Sequence, residues 1–478
     1  MKKIVFIVLV ITLFSCEDFL VENPKSIAVE TFYNTKAEID AAVAAAYSPL
    51  RGLTAYVYYV NFMETFSDYQ QGRGSWGPNS NFDGLNGTNV SRTEGIWDAV
   101  YLSIRNANLV IMNAPDGREL SDAEKSRAIA EAKFVRAFNY FLLVKNYKGV
   151  PIRTEDNFNE LAVARDTEEE VYQLIISDLT DAETNLPDNA PLPGRASKWA
   201  AKTLLADVYF YRGMNSEAAS KSNEVIASNK YSLVPVQVVD DFYKIFGPNV
   251  VTSSEEIFYL KNSHEDGTTY PLMHNHPGTG FVGPGGWYAL HSDREDYVVM
   301  KNWDPGDLRS QLWYNWDIGL GPNTMLSKKF IDPEAPAWNM IATDFPVYRY
   351  ADVLLLNAEA DCRASGSVTA DAVERLNMVR RRAYGHDPLT PSPVDFSVAD
   401  FNIDSFNETV LLERCYETNN EGKRWDDLKR LGAAKLKEII KEHTGKNVAD
   451  KHLLWPLPQD EFTYNEALDP ATDQNPGY

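Results

Sequence analysis

Three cysteines in 478 residues are too few for a disulfide framework. Histidine is also sparse, and of the seven only His274-Asn-His276 offers a chelating pair, without a third ligand at a zinc-like spacing. No metal or other cofactor is expected. The chain has no Gly-x-Ser-x-Gly, no His-Glu-x-x-His, no phosphate-binding Gly-Lys-Ser/Thr loop and no dinucleotide fingerprint opening a helix after a strand, so catalysis has no positive support. Positive charge is in deficit: 46 Lys and Arg against 68 Asp and Glu leave a net charge of −22. That field repels a phosphate backbone and argues against nucleic acid as a partner. The acids point to no hydrolase, because among so many some pair stands at glycosidase separation by chance. Beyond residue 14 no apolar run approaches the about 20 residues of a membrane-spanning helix.

What is present begins at the N-terminus. Lys2 and Lys3 precede an apolar run from Ile4 to Phe14, the charged and apolar regions of an export signal. The run ends in Leu13-Phe14-Ser15-Cys16, which resembles a bacterial lipobox, with Cys16 as the lipidated first residue of the mature chain. Residues 1–15 are therefore expected to be a lipoprotein signal peptide. Glu17 and Asp18 follow and resemble the surface-export signal of Bacteroidetes lipoproteins, so an outward-facing outer-membrane anchor is expected. Cys362 and Cys415 sit in helix-like surroundings and are expected as free buried thiols.

Helical periodicity recurs with start signals. Thr35-Lys-Ala-Glu38, Ser121-Asp-Ala-Glu124 and Thr167-Glu-Glu-Glu170 read as capping boxes ahead of amphipathic stretches. Ala206, Tyr209, Gly213 and Ala218 resemble the small-residue ladder of a tetratricopeptide repeat, with a weaker copy at Ala358, Gly366 and Ala372. Small residues there let antiparallel helices approach, and each pair must bury its apolar face on a neighbour. The expected fold is mainly α: a superhelix of tetratricopeptide-like helix pairs near 95–228 and 350–442, with a loop-rich aromatic face for ligand. The clearest strand is 256–260.

Two segments break the pattern and are expected as loops, near 54–94 and 229–346. The first holds nine aromatics between 54 and 97, and the second has 17 Gly or Pro among the 82 residues from 265 to 346. A pyranose ring offers an apolar face rimmed by hydroxyls, so sugar sites combine flat aromatics with planar polar side chains. Asp68, Tyr69, Arg73, Trp76 and Asn81 supply such a mixture in the first loop, and Trp287, Trp303, Trp313 and Trp316 in the second, where Trp338 also stands. These rings either face ligand or pin the loops to the core, and two or three of the tryptophans are expected to be exposed. Asp304-Pro-Gly-Asp307 reads as a turn, lacking the further carboxylates of a calcium loop.

Ordered blocks then carry a resemblance. Glu17-Asp-Phe-Leu-Val-Glu-Asn-Pro24, Ala132-Lys-Phe-Val-Arg-Ala-Phe-Asn-Tyr-Phe141, Arg349-Tyr-Ala-Asp-Val-Leu-Leu-Leu-Asn-Ala-Glu359, Arg380-Arg-Arg-Ala383, Arg424-Trp-Asp-Asp-Leu-Lys-Arg430 and the ending Gln474-Asn-Pro-Gly-Tyr478 resemble the SusD/RagB family of Bacteroidetes nutrient-binding lipoproteins. The resemblance spans nearly the whole mature chain and implies one SusD-like domain over 16–478. It also implies a non-catalytic cell-surface binder that captures oligosaccharide or polysaccharide and passes it to a SusC-like TonB-dependent transporter. A peptide or other nutrient as cargo, or a glycan-degrading enzyme, are the alternatives. Most blocks are expected to be structural, and only the residue class of the aromatic loops is carried over as ligand-binding.

Overall fold

Thr35, Ser121 and Thr167 all cap helices as their spacing predicts. Each side chain accepts from the backbone N–H of the glutamate three residues on, and that carboxylate accepts from the cap's own N–H. The computed structural model describes residues 32–478; residues 1–15 and Cys16 lie outside the described residues. The helices that build the stack and its neighbours include α1 (Lys36–Tyr47), α2 (Tyr58–Thr65), α3 (Gly87–Asn113), α4 (Asp122–Tyr147), α5 (Glu168–Asn185), α6 (Lys198–Tyr211) and α7 (Asn215–Ala227). Further along come α8 (Tyr350–Ser365), α9 (Ala370–Ala383), α10 (Ile403–Glu417), α11 (Arg424–Lys429) and α12 (Ala433–Thr444).

From α3 to α9 each helix packs on the next, and α7 meets α8 although the segment 228–349 separates them in sequence. The small-residue ladder explains the contact. Ala206 and Ala218 are buried with Phe210, Leu356 and Ala360, so three helices close on one another where no side chain is longer than the gap allows. Gly213 and Gly366 end α6 and α8 at φ of 74° and 65°, the left-handed conformation that favours glycine. The fold is thus mainly helical, a stack of tetratricopeptide-like pairs. Cys362 and Cys415 are free and buried.

The strand expected at 256–260 is β2 (Glu256–Leu260), paired antiparallel with β6 (Phe345–Arg349). A second, four-stranded antiparallel sheet joins β1 (Gln71–Gly72), β3 (Leu290–Asp293), β5 (Thr324–Ser327) and β4 (Trp313–Asn315) in that order. The loop expected near 54–94 needs correction, since α2 and the first turns of α3 lie within it. Every residue from Tyr59 to Thr65 is buried, so α2 presents no solvent-facing side and its polar residues Asn61, Glu64 and Thr65 lie inside.

Charge inside the fold is paired. Arg349 meets Glu417, Glu421 and Glu255; Arg382 meets Glu255 and Glu417; Arg309 meets Asp307, Glu413 and Glu417; and Lys329 meets Glu421. Burial favours the neutral acid, but the Arg349 and Lys329 charges hold Glu421 down to about 2, as Lys145 and Lys429 hold Asp426. Burial pushes His274 down to about 3, helped by the Lys329 charge, and pushes Glu64 up to about 7 against bonds from Tyr69 and the Gly422 N–H.

The signs fix the pH response. His274 stays neutral in the fold while the unfolded chain takes up a proton near 6.5, so stability drops as pH falls from there. Glu64 holds its proton in the fold up to about 7, which favours the fold as pH falls toward 4.5 and offsets His274. Below the unfolded carboxylate values of 4.5 and 3.8, Glu421 and Asp426 lose their pairing advantage and add to the histidine. Burial also pushes His291 down to about 4, so it acts as His274 does, and the melting temperature is expected to fall modestly from pH 7 to 5 and steeply below about 4.5. A steep fall already between pH 7 and 5.5 in a calorimetric series would contradict a protonated Glu64.

Candidate functional site

The two aromatic loops are distant in sequence and meet because β1 pairs with β3, Gln71 opposite His291 and Gly72 opposite Leu290. The Arg73 N–H continues the ladder to the Ala289 carbonyl at 2.7 Å. The loop 73–76 after β1 therefore faces residues 286–289 before β3. Between them opens a cleft of about 560 Å³, lined by Tyr58, Arg73, Trp76, Arg92, Trp287 and Tyr288 among others.

Backbone constraint presents the ring pair at 287–288. A Cβ on Gly286 would stand 1.7 Å from the Asn275 carbonyl oxygen, so only glycine fits this close approach. Tyr288 has a φ of 39°, which for a bulky residue costs about 1–3 kcal/mol. Its N–H is held by the carbonyls of Asn275 at 3.1 Å and Leu272 at 3.2 Å, and Trp287 N–H donates to Leu272 at 2.6 Å. The result is an outward pair: Trp287 is 42% exposed, with Trp338 beside it at 53%, their centroids 6.5 Å apart and their planes tilted by 38°.

A band of rings continues from Tyr288. His276 lies 4.7 Å from it, Trp316 5.2 Å from His276, Tyr314 6.4 Å from Trp316, and Phe281 5.2 Å from Tyr314. Arg73 covers the Tyr288 ring at 4.2 Å. Arg92 lies 3.8 Å over the Trp76 ring and donates to Asn89 Oδ1 at 2.7 Å and Ser75 Oγ at 2.9 Å.

Of the residues singled out in the sequence, the structure brings Arg73, Trp76 and Trp287 to this cleft and sets Trp316 along the ring band. Trp76 supplies only an edge: it is 3% exposed and packs on Phe62 and Tyr58. Asp68, Tyr69, Trp303 and Trp313 are buried elsewhere, so their expected position on an open binding face is corrected. Asp68 is fully buried; burial alone would raise its carboxyl, but Arg424 and His443 hold it well below the usual range. Tyr69 is buried with its hydroxyl on Glu64 and accepting from Asn420 N–H at 2.8 Å. Trp303 stacks on Tyr416 at 4.4 Å and donates to Asp307, and Trp313 donates to Asn419. These two are pins, tied to the segment after Glu413 that closes the fold from the far end of the chain. Asn81 is exposed outside the cleft lining.

The sequence reading missed Tyr58, Arg92 and Tyr288, and took His276 only as half of a chelating pair. Only adjacency to Trp287 could have marked Tyr288, whereas Arg92 lies on α3 and reaches the cleft through the fold. His274 points inward to Gln70 while His276 points to the ring band, so the pair shares no ligand. Asp304 accepts from the Gly306 N–H at 2.8 Å, as a turn requires.

Comparison with known proteins bears on the whole chain. A family model described as the SusD family matches residues 276–478, and one described as starch-binding, associating with the outer membrane, matches residues 18–210. A SusD-like protein of Formosa agariphila is 28% identical over 526 residues, covering 100% of this chain and 99% of its own. A solved SusD homologue from Bacteroides thetaiotaomicron superposes with a TM-score of 0.79 at 21% identity, covering 94% of this chain and 98% of its own. A laminarin-binding SusD-like protein gives 0.74 at 24% identity, over 92% and 99%. At these identities the two structures speak for the fold.

Proposed function

Because this chain belongs to the SusD/RagB family, we propose that it is a glycan-binding lipoprotein of the outer membrane that captures oligosaccharide at the Trp287 cleft without turning it over. Residues 16–478 form one SusD-like domain in this reading, Cys16 carries the lipid, and the cargo passes to a SusC-like TonB-dependent transporter. The family description of outer-membrane association supports the location. No helix among the described residues is long and apolar enough to cross a membrane.

The observation that carries the proposal is the exposed pair Trp287 and Trp338. Two large apolar planes left in water beside a polar-rimmed cleft are a surface for the C–H face of a sugar. The neighbour described as laminarin-binding supports the cargo class. Affinity gel electrophoresis through a panel of polysaccharides tests it. Trp287→Ala is expected to weaken binding by about 30-fold, the effect of losing a contact worth about 2 kcal/mol. Its melting temperature is expected to stay close to the parent's, since the ring is half in solvent. Unchanged retardation by every bound polysaccharide would remove Trp287 from the site.

A further inference from the structure

The cleft carries positive charge that the rest of the molecule does not answer. Buried arginines elsewhere, among them Arg136, Arg309, Arg349, Arg424 and Arg430, each sit on a carboxylate. Arg73 and Arg92 do not: among the described residues neither forms an ion pair, both rest on aromatic faces, and the hydrogen-bond partners of the Arg92 guanidinium are neutral. None of the residues lining the cleft is an Asp or Glu, in a chain that has 68 of them. Arg92 uses two of its five N–H donors on Asn89 and Ser75, which leaves donors for a ligand.

We propose that Arg73 and Arg92 select a glycan bearing anionic groups, carboxylate or sulfate, at the Trp287 cleft. This rests on the glycan-binding reading and narrows its cargo. A guanidinium presents a planar fork that matches both oxyanions in a bidentate pair, and the flat aromatic beneath holds it in place and spares it a carboxylate. Half-burial of Arg92 strengthens the bond it forms, because the charge is already partly stripped of water. The net charge of −22 does not oppose this at contact range. At physiological salt, exposed charges are screened over about 8 Å, so the two arginines set the potential where the ligand sits.

The test uses the full mature protein in affinity gels and calorimetric titrations with matched polymers. Polygalacturonate and alginate present carboxylates, ι-carrageenan presents sulfate, and carboxyl-reduced polygalacturonate, desulfated carrageenan and laminarin are the neutral probes. The expected result is binding to a carboxylated or a sulfated polymer that is lost in its neutral derivative. Arg73→Gln and Arg92→Gln are each expected to weaken it about 10-fold, a charge-assisted bond's share. The two polymer arms tell carboxylate from sulfate. Arg73 is exposed, so Arg73→Gln keeps the test sound if Arg92→Gln loosens the Trp76 packing.

Binding to neutral polymers only, or acidic-polymer binding undiminished by Arg73→Gln in a normally folded protein, overturns the charge selection and leaves the glycan reading standing. No binding to any polymer or to its short oligosaccharides overturns the glycan reading itself and the inference with it.

Discussion

Arg349→Ala is expected to lower the free energy of unfolding by about 3–5 kcal/mol, the cost of leaving a buried ion cluster one cation short. Arg349 ends β6 and opens α8 with no solvent exposure. Its guanidinium bonds Glu421 at 2.8 and 3.0 Å, the Glu417 carboxylate, and the Glu417 carbonyl at 2.7 Å. It thereby ties the returning segment 228–349 to the turn after α10. Removing it leaves Glu417 with Arg382 and Arg309, and Glu421 with Lys329 and Lys423, so the acids of the cluster outweigh the cations that remain. A drop in the urea midpoint at unchanged slope reads the loss. Replacing Arg349, Glu417 and Glu421 together by apolar residues of similar volume is expected to recover part of it, because the desolvation cost then disappears with the charges. A single-variant loss below about 1 kcal/mol would mean that water reaches the cluster and screens it.

The parts of this fold that depend on neighbours along the chain were readable, and those that depend on contacts across it were not. Capping boxes at Thr35, Ser121 and Thr167 are three-residue patterns, and the Ala206 to Ala218 ladder is a local one, so both appear in the structure where their spacing puts them. The strand at 256–260 announces itself by its own apolar run. Helix α2 was hidden because it is only eight residues long and lies in a stretch crowded with aromatics and followed by turn-forming residues, too short a window for the periodic signal to stand out. Tryptophan exposure was equally hidden. Trp303 and Trp287 sit in similar Gly- and Pro-rich surroundings, yet one is buried in a stack on Tyr416 and the other stays 42% exposed beside Trp338. The same holds for charge: Arg309 and Arg92 are alike in sequence, and only the fold gives one three carboxylates and the other none.

Trp76→Ala is expected to destabilise the protein by about 3–5 kcal/mol, in contrast to Trp287→Ala. A loop rich in Gly and polar residues suggests a ring free to meet ligand, but the ring is 3% exposed and packs edge-on against Phe62 at 5.2 Å and Tyr58 at 5.9 Å. The loop is closed over it so tightly that a Cβ on Gly72 would come within 2.4 Å of the Trp76 Cβ. Truncation opens a cavity under the cleft and removes the surface on which Arg92 lies at 3.8 Å. Binding is therefore expected to fall as well, through the lost position of Arg92 and not through a lost sugar platform. Two readouts separate these roles. If Trp76 is a pin, Trp76→Phe, which keeps an aromatic body in the space, restores most of the stability and much of the binding. If it is a platform, Trp76→Ala leaves the urea midpoint where it was and abolishes binding, as Trp287→Ala is expected to weaken it at unchanged stability. The packing against Phe62 and Tyr58 favours the first outcome, and with it a division of labour in which buried Trp76 sets the arginine and exposed Trp287 meets the sugar.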